Sequence, residues 1–285
     1  MGEGGRVLGR EGRVSCACRL AACLAAALCL AAAAQAQPAP KPRVAGTINL
    51  FDGIVQIEGK DKRTRRPVKG ENVFEGDSIA TSRQSEIHLD MADGAAMIVR
   101  ESSKITITEY VADGGDKDRS LIDLARGAMR SVTGWIGQYN RSNYRIRTPL
   151  VTIGVRGTDH EPTHLEAGDA RGEPGSYDKV NDGTAYMQSK QGTVEVPANT
   201  AVFQALSAEG IPQLLATVPG FFKPGKFEQE FQRRARDLRN AIPQKRMDRI
   251  EFLRKQGLLP QEAQKALDQA KPFEDLGKEL LRWRR

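Results

Sequence analysis

Cysteine, histidine and long apolar runs are all scarce in this 285-residue chain. The four cysteines are Cys16, Cys18, Cys23 and Cys29, and none follows position 29. The body of the chain therefore has neither a disulfide framework nor a cysteine nucleophile. The longest apolar run, Leu20 to Ala34, is shorter than the ~20 residues a spanning helix requires, which excludes a multi-pass helical membrane protein. With 14 prolines and 28 glycines near average use, the chain is neither collagenous nor of low complexity, and 39% hydrophobic residues suffice for a core.

An arginine-bearing start (Arg6, Arg10, Arg13, Arg19) leads into that apolar run, which ends at Ala34-Gln35-Ala36. This is the three-part form of a secretory signal peptide with an A-x-A cleavage site. Residues 1–36 are expected to be removed, leaving a mature periplasmic chain that begins at Gln37. Leu20-Ala21-Ala22-Cys23 has the form of a lipoprotein box, but Arg19 interrupts the apolar stretch that should precede one. All four cysteines would leave with the leader, so stability rests on packing in a compartment that permits disulfides.

Charge is unevenly spread. Residues 37–220 hold 22 basic and 24 acidic side chains, whereas residues 221–285 hold 17 and 10, so the whole net charge of +7 is matched by the tail alone. Export removes nucleic acid as a partner and leaves anionic lipid, cell-wall polymer or an acidic protein face.

From Val44 to Leu206 the pattern is that of strands. Glu86-Ile87-His88-Leu89-Asp90-Met91 alternates strictly, and Ile105 with Ile107, Val151 with Ile153 and Val155, and Val194 with Val196 repeat the period of two. Asp-Gly pairs at Asp52-Gly53, Asp93-Gly94, Asp113-Gly114 and Asp182-Gly183 suit type I′ turns, predicting at least two hairpins. Glu166 to Lys179, rich in glycine and charge, reads as an exposed loop. One stretch departs from this pattern. Leu121, Ile122, Leu124, Ala125, Ala128, Met129 and Val132 recur at helical spacing after Ser120, a plausible N-cap.

After Phe222-Lys223-Pro224-Gly225 the period changes. Phe227, Phe231, Ala235 and Leu238 share one helical face, with Arg233, Arg234, Arg236 and Arg239 mostly on the other. Pro243 is expected to end this helix. A second, bearing Met247, Ile250 and Leu253, should stop at Gly257, a third should begin near Pro260, and a last amphipathic stretch runs from Phe273 to Trp283. The organisation expected is a leader (1–36), a β-domain (37–222) and a separable basic helical region (223–285).

The sharpest chemical pattern is His160-Glu161-Pro162-Thr163-His164, which fits the H-E-x-x-H template of zinc proteases. That template works on a helix, where both imidazoles share one face. Pro162 lacks an N–H and biases Glu161 toward extended backbone, and the preceding run is β-patterned. On an extended chain four residues span roughly 13 Å, too far for two ligands of one zinc ion. No metal, no cofactor and no catalytic group is assigned, and the chain is read as a non-enzyme. A buried-type strand also runs straight into Arg156-Gly157-Thr158-Asp159. Gly157 suggests a positive φ, Thr158 can satisfy a backbone group, and Arg156 is expected to latch onto Asp159 across the bend.

Several of these residues together resemble the FecR domain family of bacterial envelope proteins: Glu75-Gly76-Asp77-Ser78-Ile79-Ala80-Thr81-Ser82, Ser85 to Asp90, Asp93-Gly94, and above all Arg147-Thr148-Pro149 with Val155-Arg156-Gly157-Thr158-Asp159. The spacing between the G-D-x-I-x-T and T-P…V-R-G-T elements matches as well, and the resemblance runs from about Val44 to Leu206. It implies a periplasmic β-structured region of the kind that relays a signal from an outer-membrane receptor to a membrane-bound sigma-factor regulator. It also implies that Leu121 to Val132 is extended, against the helical periodicity, and the resemblance is preferred. A typical sigma regulator of the family has a cytoplasmic domain and a transmembrane helix before its periplasmic part, whereas a cleavable leader is expected here.

The fold expected is mainly β, of short antiparallel or solenoid-like strands, with a C-terminal helical tail. The function expected is a non-enzymatic module that binds an envelope protein, such as an outer-membrane receptor, or another ligand. The alternative is a structural envelope component whose basic tail grips cell-wall polymer or anionic lipid.

Overall fold

The computed structural model describes residues 42–258 apart from residue 208. The leader, all four cysteines and the helices expected after Pro260 lie outside the described residues.

Among the described residues, alternating apolar positions form fifteen strands: β1 (Val44–Asp52), β2 (Val55–Glu58), β3 (Thr64–Arg65), β4 (Asn72–Phe74), β5 (Ser78–Thr81), β6 (Glu86–Met91), β7 (Ala96–Val99), β8 (Lys104–Val111), β9 (Arg119–Val132), β10 (Tyr144–Arg147), β11 (Thr152–Leu165), β12 (Gly175–Gln188), β13 (Thr193–Pro197), β14 (Thr200–Ala205) and β15 (Gln213–Leu214). A short helix, α1 (Trp135–Tyr139), precedes β10, and a long one, α2 (Glu228–Lys255), follows the strands.

Three strands of 14 residues, β9, β11 and β12, organise the fold because each changes neighbours part-way along. The first half of β9 pairs with β8 and, in parallel, with β10, while its second half pairs with β7 and β11. β12 follows β11 throughout, but takes β14 at its start and β13 at its end. One continuous ladder therefore divides into two arms. The first runs β3, β2, β5, β8, β9, β10, β11, β12, β13, and the second runs β4, β1, β6, β7, β9, β11, β12, β14, β15. Ile57, Ile79, Ile105, Ile122 and Ile153 of the first arm share one buried cluster with Ile48, Ile87, Leu89, Met97 and Val180 of the second. Burying each such side chain contributes about 1.5–3 kcal/mol, so this shared core joins the arms.

The stretch from Leu121 to Val132 is extended, lying within β9, as the family resemblance implies. Its helical spacing is the sum of two strand phases. Ser120, Ile122 and Leu124 are buried on one phase and Met129 on the other, because the register with β8 slips between Leu124 and Arg126. Gly127 follows the slip at φ +85°, where a Cβ would lie 2.2 Å from the Ser103 Oγ. One inserted residue in a period of two places apolar positions at odd separations, which imitates a period of 3.6.

Two Asp-Gly pairs do turn hairpins, β6 to β7 at Asp93-Gly94 and β8 to β9 at Asp113-Gly114. Neither is a type I′ turn, since only the glycine of each pair has positive φ. Asp52-Gly53 instead carries the chain between β1 and β2, which do not pair, and Asp182-Gly183 lies inside β12 at a register shift. The expected loop is shorter than its composition suggested. Residues 166–174 connect β11 to β12, but Gly175–Lys179 are strand, paired with β14.

Residues 228–255 of the region expected to be separable pack on the strands. Phe231, Ala235 and Leu238 pack on Ala96, Ile98 and Val132, the outward side chains of the second arm, in a buried cluster of their own. Ile242 joins the main core. Helix α2 also runs straight through Pro243. Pro243 is exposed, and contacts on both sides of it, Ile242 in the core and Arg246 and Arg249 on Gly114 and Asp113, hold the helix in place. The stop at Gly257 is as expected: its N–H donates to the Arg254 carbonyl at 3.0 Å, and that of Leu258 donates to the Leu253 carbonyl at 3.0 Å. This is a Schellman cap, which explains the left-handed residue.

Candidate functional site

His160 and His164 both lie on β11 and are buried, but each is held by hydrogen-bonding neighbours. The His160 ring nitrogens face the Tyr144 hydroxyl at 3.2 Å and the Asp178 carboxylate at 3.1 Å, and His164 Nδ1 faces the Ser176 hydroxyl at 3.0 Å. Burial raises the Asp178 pKa, against the effect of neighbouring His160. Glu161 belongs to the opposite face of the strand, where it meets Lys179 at 3.0 Å and Asn181 at 3.0 Å. These contacts do not fit a zinc site, and among the described residues no group of three His, Cys, Asp or Glu is placed to hold a metal ion.

Arg156-Gly157-Thr158-Asp159 marks the point where β11 passes from one arm to the other, and its register with β12 shifts there. Gly157 has φ +62°, as its sequence context suggests. Thr158 is fully buried and joins β11 to β12 and to the residue that follows β9. Its hydroxyl donates to the Thr184 carbonyl at 2.7 Å and accepts from the Arg156 N–H at 3.2 Å, while its own N–H donates to the Thr133 hydroxyl at 2.9 Å. The expected latch between Arg156 and Asp159 is not made. Asp159 instead receives Arg130, at 2.8 Å from Nε and 2.6 Å from Nη2, and Arg130 also reaches Glu228 of α2. Burial alone would raise the Asp159 pKa, but the hydrogen bonds and charge of Arg130 outweigh it and hold the carboxyl below its ordinary value.

Arg130, Arg100 and Glu228 escaped the sequence reading. Their only signal was a charge within an apolar strand, or an acid opening a helix. Arg100 reaches Glu228 at 3.0 Å and Glu161 at 3.5 Å, so this buried ion network ties the start of α2 to β9 and β11.

Most of the family-like residues turn out to have work within the fold. Asp77 accepts Arg65 at 2.6 Å and the Phe74 N–H at 2.9 Å, and the Thr81 hydroxyl donates to the Arg100 carbonyl at 2.5 Å. Thr148 shapes the turn before β11 by accepting the N–H groups of Leu150 at 3.2 Å and Val151 at 3.1 Å. Arg147 pairs with Asp123 at 2.6 Å. Arg156 differs, because its side chain is exposed and its guanidinium has no partner among the described residues.

Arg156 lies on a groove of about 490 Å³ on the outer face of the first arm, beside Arg141, Arg145, Tyr186, Gln188 and Thr193. That face is open, whereas α2 covers the outer face of the second arm. Arg156→Ala should therefore leave the melting temperature nearly unchanged, since an exposed charge of this kind is worth about 0–1 kcal/mol. A thermal melt that falls by ten degrees or so would restore Arg156 to a structural role.

The described residues thus form a two-armed β-structure whose second arm is covered on its outer face by α2. Residues 77–173 match the family profile described as FecR protein. Two crystal structures of a candidate anti-sigma factor from Parabacteroides distasonis are similar at 11% identity and a TM-score of 0.39, over 50% of this chain and 60% of that one. A cell surface anchoring domain is similar at 21% identity and a TM-score of 0.21, over 22% of this chain and 82% of its own. No curated protein shows significant sequence similarity to the chain. No helix among the described residues is long and apolar enough to cross a membrane.

Proposed function

We propose that the chain is a non-enzymatic periplasmic FecR-like module that binds an envelope protein through the open face of its first arm. The observation that carries this reading is Arg156. Of the charged residues in the family-like motifs, it alone has no partner within the fold among the described residues. A charged side chain that stabilises nothing at home is available for recognition, and its neighbours present hydroxyl, amide and guanidinium donors.

The alternative, a basic tail free to grip cell-wall polymer or anionic lipid, is weakened by α2. Arg239 pairs with Asp182 at 3.1 Å, Arg249 with Asp113 at 2.8 Å, and Arg234 with Asp90. These charges are already engaged by the β-domain. Cross-linking in intact cells, with the mature chain as bait, should capture one envelope protein in a salt-insensitive complex. Salt-sensitive retention on isolated envelopes, with no protein captured, would favour the alternative.

A further inference from the structure

On the outer face of the first arm, cross-strand neighbours form a row from Arg145 on β10 through Gly154 on β11 to Tyr186 on β12 and Glu195 on β13. Gly154 is the gap in that row. A Cβ built there would meet only the Tyr144 carbonyl oxygen, at 3.9 Å, so the groove exists because one side chain is missing. Its walls carry Arg141, Arg145 and Arg156 and no carboxylate. Arg141 and Arg145 each use only Nε in contacts the fold supplies, to the Gln138 and Ser142 carbonyls at 3.2 Å. Three guanidinium forks therefore converge on a recess with their terminal nitrogens available.

We propose, resting on the binding-module reading above, that this groove receives an acidic segment of a partner protein, a short run containing aspartate or glutamate. Guanidinium forks match carboxylates in two-pronged hydrogen bonds, and Tyr186, Gln188 and Thr193 add neutral donors. The surroundings favour a short acidic segment over a long polyanion. Asp123 lies two strands away, held by Arg147, and Glu195 is exposed beside Tyr186, so a polymer crossing the whole face would meet carboxylates at both margins. Residues 259–285 of the chain itself hold six basic and five acidic side chains, so they bring no net negative charge to the groove.

The test is fluorescence anisotropy of the full mature chain with a labelled hexaglutamate peptide at low and physiological salt. The Arg145→Gln, Arg156→Gln double variant should bind at least about tenfold more weakly. Gly154→Leu keeps every charge but fills the recess, and should weaken binding comparably. Arg83→Gln, an exposed arginine outside the groove, should change nothing. Circular dichroism melts of all variants should overlay the parent. Undiminished binding by the groove variants, equal weakening by Arg83→Gln, absence of binding at low salt, or tighter binding to inorganic phosphate or phosphatidylglycerol vesicles would each overturn the proposal. Failure here is separable from failure of the module reading. If parent and groove variants cross-link the same envelope protein, the module stands without the groove. Peptide binding that the groove variants lose, with no protein captured in cells, leaves the groove standing and removes the module reading.

Discussion

Arg130→Ala should be among the most damaging single substitutions in the β-domain, costing about 3–5 kcal/mol, because it leaves Asp159 and Glu228 buried without their shared cation. The Arg130 guanidinium also lies over the Phe231 ring, 5.3 Å from its centroid, so packing goes with the charge. Chemical denaturation of parent and variant measures the difference. The sign of its pH dependence follows from Asp159, whose pKa is lower in the folded chain. That depressed value stabilises the fold above the unfolded carboxyl pKa of about 3.9, and the contribution is lost as pH falls through the folded value. The gap between parent and variant should therefore be full near neutrality and narrow below about pH 4. A gap under about 1 kcal/mol at pH 7 would mean that the network relaxes onto Arg100 and is not a structural tie.

Truncation after Lys223 should abolish cooperative folding. It removes Phe231, Leu238 and Ile242, three nearly buried side chains worth about 1.5–3 kcal/mol each, from a domain of ordinary stability near 5–15 kcal/mol. It also exposes Ile98, fully buried beneath α2, and takes Glu228 from both Arg100 and Arg130. Aggregation, or a broad melt without a transition, is the expected result. A soluble truncated chain with a sharp melt would show that the second arm tolerates an uncovered face. Phe231→Ala is the milder version, expected to cost about 3–5 kcal/mol while leaving the helix attached.

The places where the fold departs from local pattern share one physical origin. Period-two alternation was legible wherever a strand kept one phase, as in Glu86 to Met91. It failed in β9, where a one-residue slip before Gly127 made two strand phases imitate a helix. Asp159 was legible as a residue needing a cation, but its partner comes from Arg130, 29 positions away. The nearer Arg156 was the reasonable local guess. Pro243 looks like a helix end locally, but Ile242 before it joins the core, and Arg246 and Arg249 after it reach the Gly114 carbonyl and Asp113.

By itself the sequence determined what depends on local pattern: a mainly β chain with a helical end, the positive φ of Gly157, the stop at Gly257, and the extended backbone from His160 to His164. The FecR-like motifs were also readable as words. Tertiary structure alone decided which motif residues the fold consumes and which it leaves over. Pairing across 20 or more positions depends on how β9, β11 and β12 cross between the arms, and no local period encodes that crossing. Only after Asp77, Thr81, Thr148, Thr158 and Asp159 have found their partners does Arg156 stand out with none, beside a gap that a glycine opens in the sheet face.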